Sequence, residues 1–279
     1  MITRFHALAG LIVLMCLPLV PTQAEGLASI IDKKDSHPLG SALDYAQTHR
    51  KYIHEHIRNY TCQLVKRERI VGRMQPYQFV DVKVRCETLA DQEPFKPMAV
   101  LMKFMGPASV KGRTVLFVEG QNEGRALVRK GGRGMFKDVE LEIDPDGDAA
   151  RRESKYPITD IGLDSIMDHL IELVQLDLHI DPSGENTKVA YFRNAKVKDR
   201  SCTHIEVVHP EKVSGLQFYK AELYVDDELH VPIRLVVHDW PSTEGSEPEL
   251  IEEYNYVNLK LNTEIDDALF DRDTYFNHK

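Results

Sequence analysis

The sequence is poor in the residue patterns from which common active sites are built. It has 4 cysteines in 279 residues, none spaced Cys-x-x-Cys, so neither a zinc ribbon nor a thioredoxin-type redox centre is encoded. There is no Gly-x-Ser-x-Gly elbow, no phosphate-cradling glycine loop and no carboxylate pair placed by a motif, which leaves an enzyme without a recognisable nucleophile or base. The 12 histidines include no His-Glu-x-x-His. His54 and His56 stand two apart on a helical stretch and point about 200° from one another, whereas a chelating pair needs i and i+4. No metal, no cofactor and no enzymatic activity are therefore expected. A membrane-spanning run is missing too: the longest apolar stretch, Ala7 to Val20, has 14 residues and is interrupted by Pro18, against roughly 20 for a spanning helix.

That short run is informative. It follows Arg4 and ends in Thr22-Gln23-Ala24, the three-part pattern of a cleavable secretory signal. An uncleaved anchor would need a longer run, and lipidation at Cys16 would need a small residue where Met15 stands. The expected organisation is a signal peptide over residues 1–24, a flexible segment over 25–36 and a single domain over 37–279, in a periplasmic or secreted protein. Cleavage removes Arg4 and no acidic residue, taking the net charge from −9 to about −10. Nucleic acid is thereby disfavoured as a partner, because its binding rests on basic surface that neutralises phosphates.

Periodicity supplies the elements. Between His37 and Asn59 apolar residues recur at helical steps, and again from Leu163 to Leu176, where Ile166, Met167, Leu170, Leu173 and Val174 share a face. Most of the remainder alternates with period two. Strands are expected at Tyr60–Val71, Phe79–Cys86, Ala99–Met105, Arg113–Glu119 and Arg125–Arg129. A second group follows at Lys188–Arg193, Cys202–Val208, Phe218–Val225, Leu229–His238 and Ile251–Leu261. Ten or so strands with two long helices predict an α+β domain, a large curved antiparallel sheet with both helices packed against it. In the first hairpin, one register opposes Leu64 to Val84, Arg67 to Asp81 and Cys62 to Cys86. The last pair makes either a cross-strand disulfide or two buried thiols. Asp144-Pro145-Asp146-Gly147-Asp148 reads as a turn rather than a calcium loop, since the closing glutamate is absent from the usual register.

Specific residues carry a family resemblance. Tyr60-Thr61-Cys62, Lys66-Arg67-Glu68-Arg69 with Gly72, Lys111-Gly112-Arg113, Val118-Glu119-Gly120-Gln121-Asn122, Tyr156-Pro157-Ile158-Thr159, Asp239-Trp240-Pro241 and Glu252-Glu253-Tyr254-Asn255-Tyr256 with Leu261-Asn262 resemble an exported bacterial family of unknown function, family 1571. The resemblance spans nearly the whole mature chain and brings no assigned catalytic residues. A more distant one, through Val231-Pro232-Ile233-Arg234, the strand ending at Asn262 and Asp266-Asp267-Ala268-Leu269-Phe270, is to the LolA and LolB lipoprotein carriers. It implies a half-barrel that closes over helices and holds an acyl chain in an apolar hollow. The segment Asp144 to Tyr156 and the long charged hairpin depart from that fold.

Two roles follow. In the first, a periplasmic carrier or binding module, the inner faces of the strands enclose a lipid or lipoprotein acyl chain, lined by Leu64, Val82, Val84, Leu116, Val118, Leu223, Ile233 and Leu235. In the second, a structural or regulatory domain, those side chains form a closed core and the surface binds a cell-envelope protein. Lys66, Arg67 and Arg69, with Glu68, are expected at the rim, either protecting the strand from edge pairing or docking an acidic partner.

Overall fold

The computed structural model describes residues 37–87, 94–133, 135, 137–243 and 245–276; the expected signal peptide and the segment after it, residues 1–36, lie outside the described residues. Helix α1 spans Gly40–His56, starting later than the periodicity suggests because His37 and Pro38 form its entrance. His37 accepts from the Leu39 amide through Nδ1 at 3.1 Å, and its Nε2 meets the Asp181 carbonyl at 2.9 Å. Strands β1 (Asn59–Ile70), β2 (Arg73–Met74), β3 (Gln78–Arg85), β4 (Ala99–Gly106), β5 (Thr114–Val118), β6 (Ala126–Arg129) and β7 (Glu140–Ile143) come next. A short helix α2 (Asp148–Arg151) and the long α3 (Leu163–Ile180) separate them from β8 (Lys188–Val197), β9 (Arg200–Val208), β10 (Lys220–Asp226), β11 (Pro232–Asp239) and β12 (Glu249–Leu261). Helix α4 (Arg272–Phe276) is the last element among the described residues.

Among the described residues, all the strands join one antiparallel sheet of 12, in the order β7-β6-β5-β4-β3-β1-β12-β11-β10-β9-β8, with β2 paired to β1. The sheet is two meanders, each local in sequence, stitched by the pairing of β1 with β12. The fold class is thus α+β with a large unclosed antiparallel sheet. Alternation decides the faces. On β1 every second residue, from Tyr60 through Leu64 to Ile70, is buried. The inner face packs on α1 and α3 in a core holding Ile53, Ile57, Val80, Val82, Val100, Met167, Val225 and Ile233. Burying such side chains contributes roughly 1.5–3 kcal/mol each.

The outer face of β4 to β6 is also covered. Ala99, Leu101, Leu116, Val118 and Leu127 pack under Phe270, Tyr275 and Phe276 of the C-terminal segment. This second layer is why β5 is apolar on both sides.

The first hairpin corrects the expected register. Cys62 opposes Val82 and Leu64 opposes Val80, while Asp81 opposes Gln63. The cause is a two-residue turn, Val71-Gly72, with both φ angles positive, which brings Ile70 opposite Arg73 and pulls the strands four positions from the register read in the sequence. Cys86 instead gives its amide to the Arg58 carbonyl at 2.9 Å. Four residues along a strand are about 13 Å, beyond the reach of a disulfide. Cys62, Cys86 and Cys202 are free thiols; burial pushes both Cys62 and Cys86 up to about 12. Gly131 is tightly placed: a Cβ there would meet the Arg113 amide nitrogen at 2.1 Å, and its φ is +65°.

Candidate functional site

Helix α3 does not lie flat on the sheet. Between them, and behind the Asp144–Tyr156 segment, is a largely apolar cavity of about 700 Å³, within the roughly 300–1,000 Å³ of small-molecule sites. The sheet contributes Leu64, Met102, Phe104, Val128, Leu235 and Tyr256; α3 contributes Ile166, Leu170 and Leu173; Ala149, Ala150, Tyr156 and Ile158 close the side. The cavity leaves its mark on α3. Leu163 and Met167 are buried, but Ile166, Leu170 and Leu173 are half-exposed although they face the sheet, and Leu176 is 38% exposed. Among the described residues, none fills the space in front of them.

Of the residues expected to line a hollow, Leu64 and Leu235 stand on its wall. Val82, Val84, Leu223 and Ile233 are buried in the solid part of the same core. Leu116 and Val118 face the other way, under the C-terminal segment. The rim patch is also divided. Arg67 and Arg69 lie on the outer face, Arg67 over the Tyr77 ring at 5.0 Å and donating to the Gln75 carbonyl, Arg69 donating to the Leu250 carbonyl and paired with Glu249 at 3.3 Å. Lys66, one position out of phase with both, points inward and is 5% exposed.

There it belongs to a polar cluster inside the hollow. Lys66 Nζ donates to Glu68 Oε2 at 2.9 Å and to Ser154 Oγ at 2.8 Å. The Tyr254 hydroxyl donates to Glu68 Oε1 at 2.5 Å. Next along β12, Glu252 accepts from the Tyr156 hydroxyl at 3.0 Å and is paired with Lys155 at 2.7 Å. Glu68 and Glu252 are each 3% exposed. Burial, then the adjoining carboxylates, push the Tyr156 and Tyr254 phenols well above their ordinary range, so both remain donors at physiological pH. The signal for this cluster was present in the sequence: Leu64, Lys66 and Glu68 share one parity on β1, as do Glu252, Tyr254 and Tyr256 on β12.

The histidines are dispersed. His54 and His56 are exposed. His169 stands on the cavity wall 3.7 Å from Asp160 and 3.8 Å from Glu172. Among the described residues, His204, Glu206 and Glu222 place potential ligand atoms within 4.8 Å of one another. The Lys220 ammonium, 3.1 Å from Glu222 and 3.8 Å from Glu206, already supplies the positive charge there. Asp144 to Asp148 forms a turn, Asp144 Oδ1 accepting from the Asp146 amide at 3.0 Å, and leads into α2 on the cavity wall. No helix among the described residues is long and apolar enough to cross a membrane.

Among solved structures, the chain is similar to a DUF1329 family protein from Desulfovibrio piger (13% identity, TM-score 0.39, covering 86% of this chain and 99% of that one). It is similar as well to a putative outer membrane lipoprotein-sorting protein domain from Vibrio parahaemolyticus (11%, TM-score 0.38, 84% and 97%). A LolA superfamily protein from Nitrosomonas europaea is a further neighbour (12%, TM-score 0.35, 82% and 98%). No curated protein matches the sequence. A family match covers residues 57–275, from the end of α1 through α4 and so every element that builds the cavity: the chain belongs to the family described as Protein of unknown function (DUF1571).

Proposed function

We propose that this protein is exported to the cell envelope, where it holds the acyl chain of a lipid or lipoprotein between its sheet and α3. The observation that carries the reading is the open, apolar-walled space of about 700 Å³, faced by leucines of α3 that the described residues leave only partly covered. Each methylene moved from water into such a space contributes about 0.8 kcal/mol, so a chain of about ten offsets the several kcal/mol lost on association. The alternative, an interaction domain with a closed interior, requires side chains to fill that space. Protein purified from membranes should carry an amphiphile detectable by native mass spectrometry and organic extraction. Replacing Ala150 on the cavity wall with Trp should abolish uptake of an apolar fluorescent probe while leaving the unfolding midpoint within a few degrees. Repeated recovery of ligand-free protein that also refuses the probe would overturn the reading.

A further inference from the structure

We infer that Lys66 docks the neutral carbonyl of an acyl ester or amide, so that the ligand is a chain with one uncharged polar end rather than a bare hydrocarbon or a free fatty acid. This rests on the acyl-binding reading and names the chemistry of the ligand at the same site. A hollow meant for hydrocarbon alone gains nothing from buried charges, whose desolvation is expensive, yet the cluster around Lys66 and Glu252 sits on the cavity wall. Lys66 has three N–H donors. Glu68 and Ser154 take two, and among the described residues the third has no acceptor.

Charge balance selects the partner. Lys66 and Lys155 are matched by Glu68 and Glu252, so a carboxylate entering the cluster would add an unmatched negative charge in a desolvated place. A neutral carbonyl oxygen adds an acceptor and no charge. The cluster reaches solvent through Lys155, whose side chain is 36% exposed, a path by which the remainder of a larger headgroup can leave the hollow.

The test measures displacement of N-phenyl-1-naphthylamine from the full mature chain by methyl dodecanoate, N-methyl dodecanamide, dodecanoate and tridecane. The ester or the amide should bind at least about tenfold more tightly than tridecane, as expected for a hydrogen bond to a charged donor, and more tightly than dodecanoate; which of the two leads separates ester from amide sources. The double variant Lys66→Met/Glu68→Gln, which leaves no buried charge unpaired at these positions, should bind tridecane as before and lose the preference. Ser154→Ala, which frees a second N–H on Lys66, should keep it. Equal binding of ester, amide and hydrocarbon, a preference for dodecanoate, or a preference that survives the double variant would overturn the inference while leaving acyl binding intact. If no probe or ligand enters at all, both readings fall.

Discussion

The pair formed by Asp177 on α3 and His209 just beyond β9 sets a pH dependence whose sign follows from the geometry. The two side chains are 1% and 0% exposed, with Nε2 and Oδ2 3.3 Å apart. His209 Nδ1 lies 3.1 Å from the Phe218 carbonyl, which only accepts, so that nitrogen carries the proton and the neutral ring offers a lone pair at Nε2. Burial pushes the Asp177 carboxyl up from 3.8 to about 7 and holds the His209 imidazole below its ordinary 6.5. Near pH 6 a largely protonated carboxyl therefore faces a neutral imidazole. Because the folded pKa of Asp177 is raised, the folded state binds more protons than the unfolded one between pH 3.8 and about 7, and stability from this group is lost as the pH rises through that window. Three pH units correspond to at most about 4 kcal/mol. His209 acts oppositely, its lowered pKa removing stability as the pH falls below 6.5. Asp177→Asn keeps a donor toward Nε2 at every pH. In urea titrations the variant, aligned with the wild type at pH 5, should exceed it by up to about 3 kcal/mol at pH 8, with a slope approaching 1.4 kcal/mol per unit between pH 5 and about 7. A difference that is flat from pH 5 to 8, or a variant weaker at pH 8, would show that the pair is a charged ion pair and the reasoning wrong.

Lys66→Met alone leaves Glu68 charged and buried and should cost about 3–5 kcal/mol in denaturant unfolding, most of it regained when Glu68→Gln is added. Asn262 accepts from the Arg58 amide at 2.7 Å and donates to the His56 carbonyl at 2.8 Å, tying the end of β12 to the end of α1; Asn262→Ala should lower stability by about 1–2 kcal/mol by the same assay. Cys62 and Cys86 should resist alkylation in the native protein and react fully in denaturant without prior reductant. Amino-terminal sequencing of the protein from an envelope fraction should begin at Glu25.

Much of this architecture was legible because burial imposes period two on strands and a helical step on α1 and α3. The long runs, β1 and β12, declared themselves. Short elements did not: β7 is Glu-Leu-Glu-Ile, too brief to show a period, and the cover formed by Phe270, Tyr275 and Phe276 draws its meaning from a distant partner. The hairpin register was misread because Val71, a β-branched residue, occupies a φ of 48° that turn chemistry normally reserves for Asn or Gly. Alternation also reports which side of a strand is covered and not by what, so Val84 and Leu64 look alike although one meets packed side chains and the other the open hollow. Lys66 and Glu68 were assigned to the rim by their charge, when parity with Leu64 placed them inside.

The seam between β1 and β12 has a consequence for how the molecule is made. Each meander is assembled from neighbours close in sequence, whereas pairing Leu64 with Tyr256 requires the ends of almost the entire domain to meet, an entropic toll that rises with loop length and slows the step. Until the last strand arrives, the ammonium and carboxylate on β1 have no Tyr254 or Glu252 beside them. The wall of the hollow is thus the final part to be completed, and the nascent domain holds a finished first half with a receptive edge waiting for its other margin.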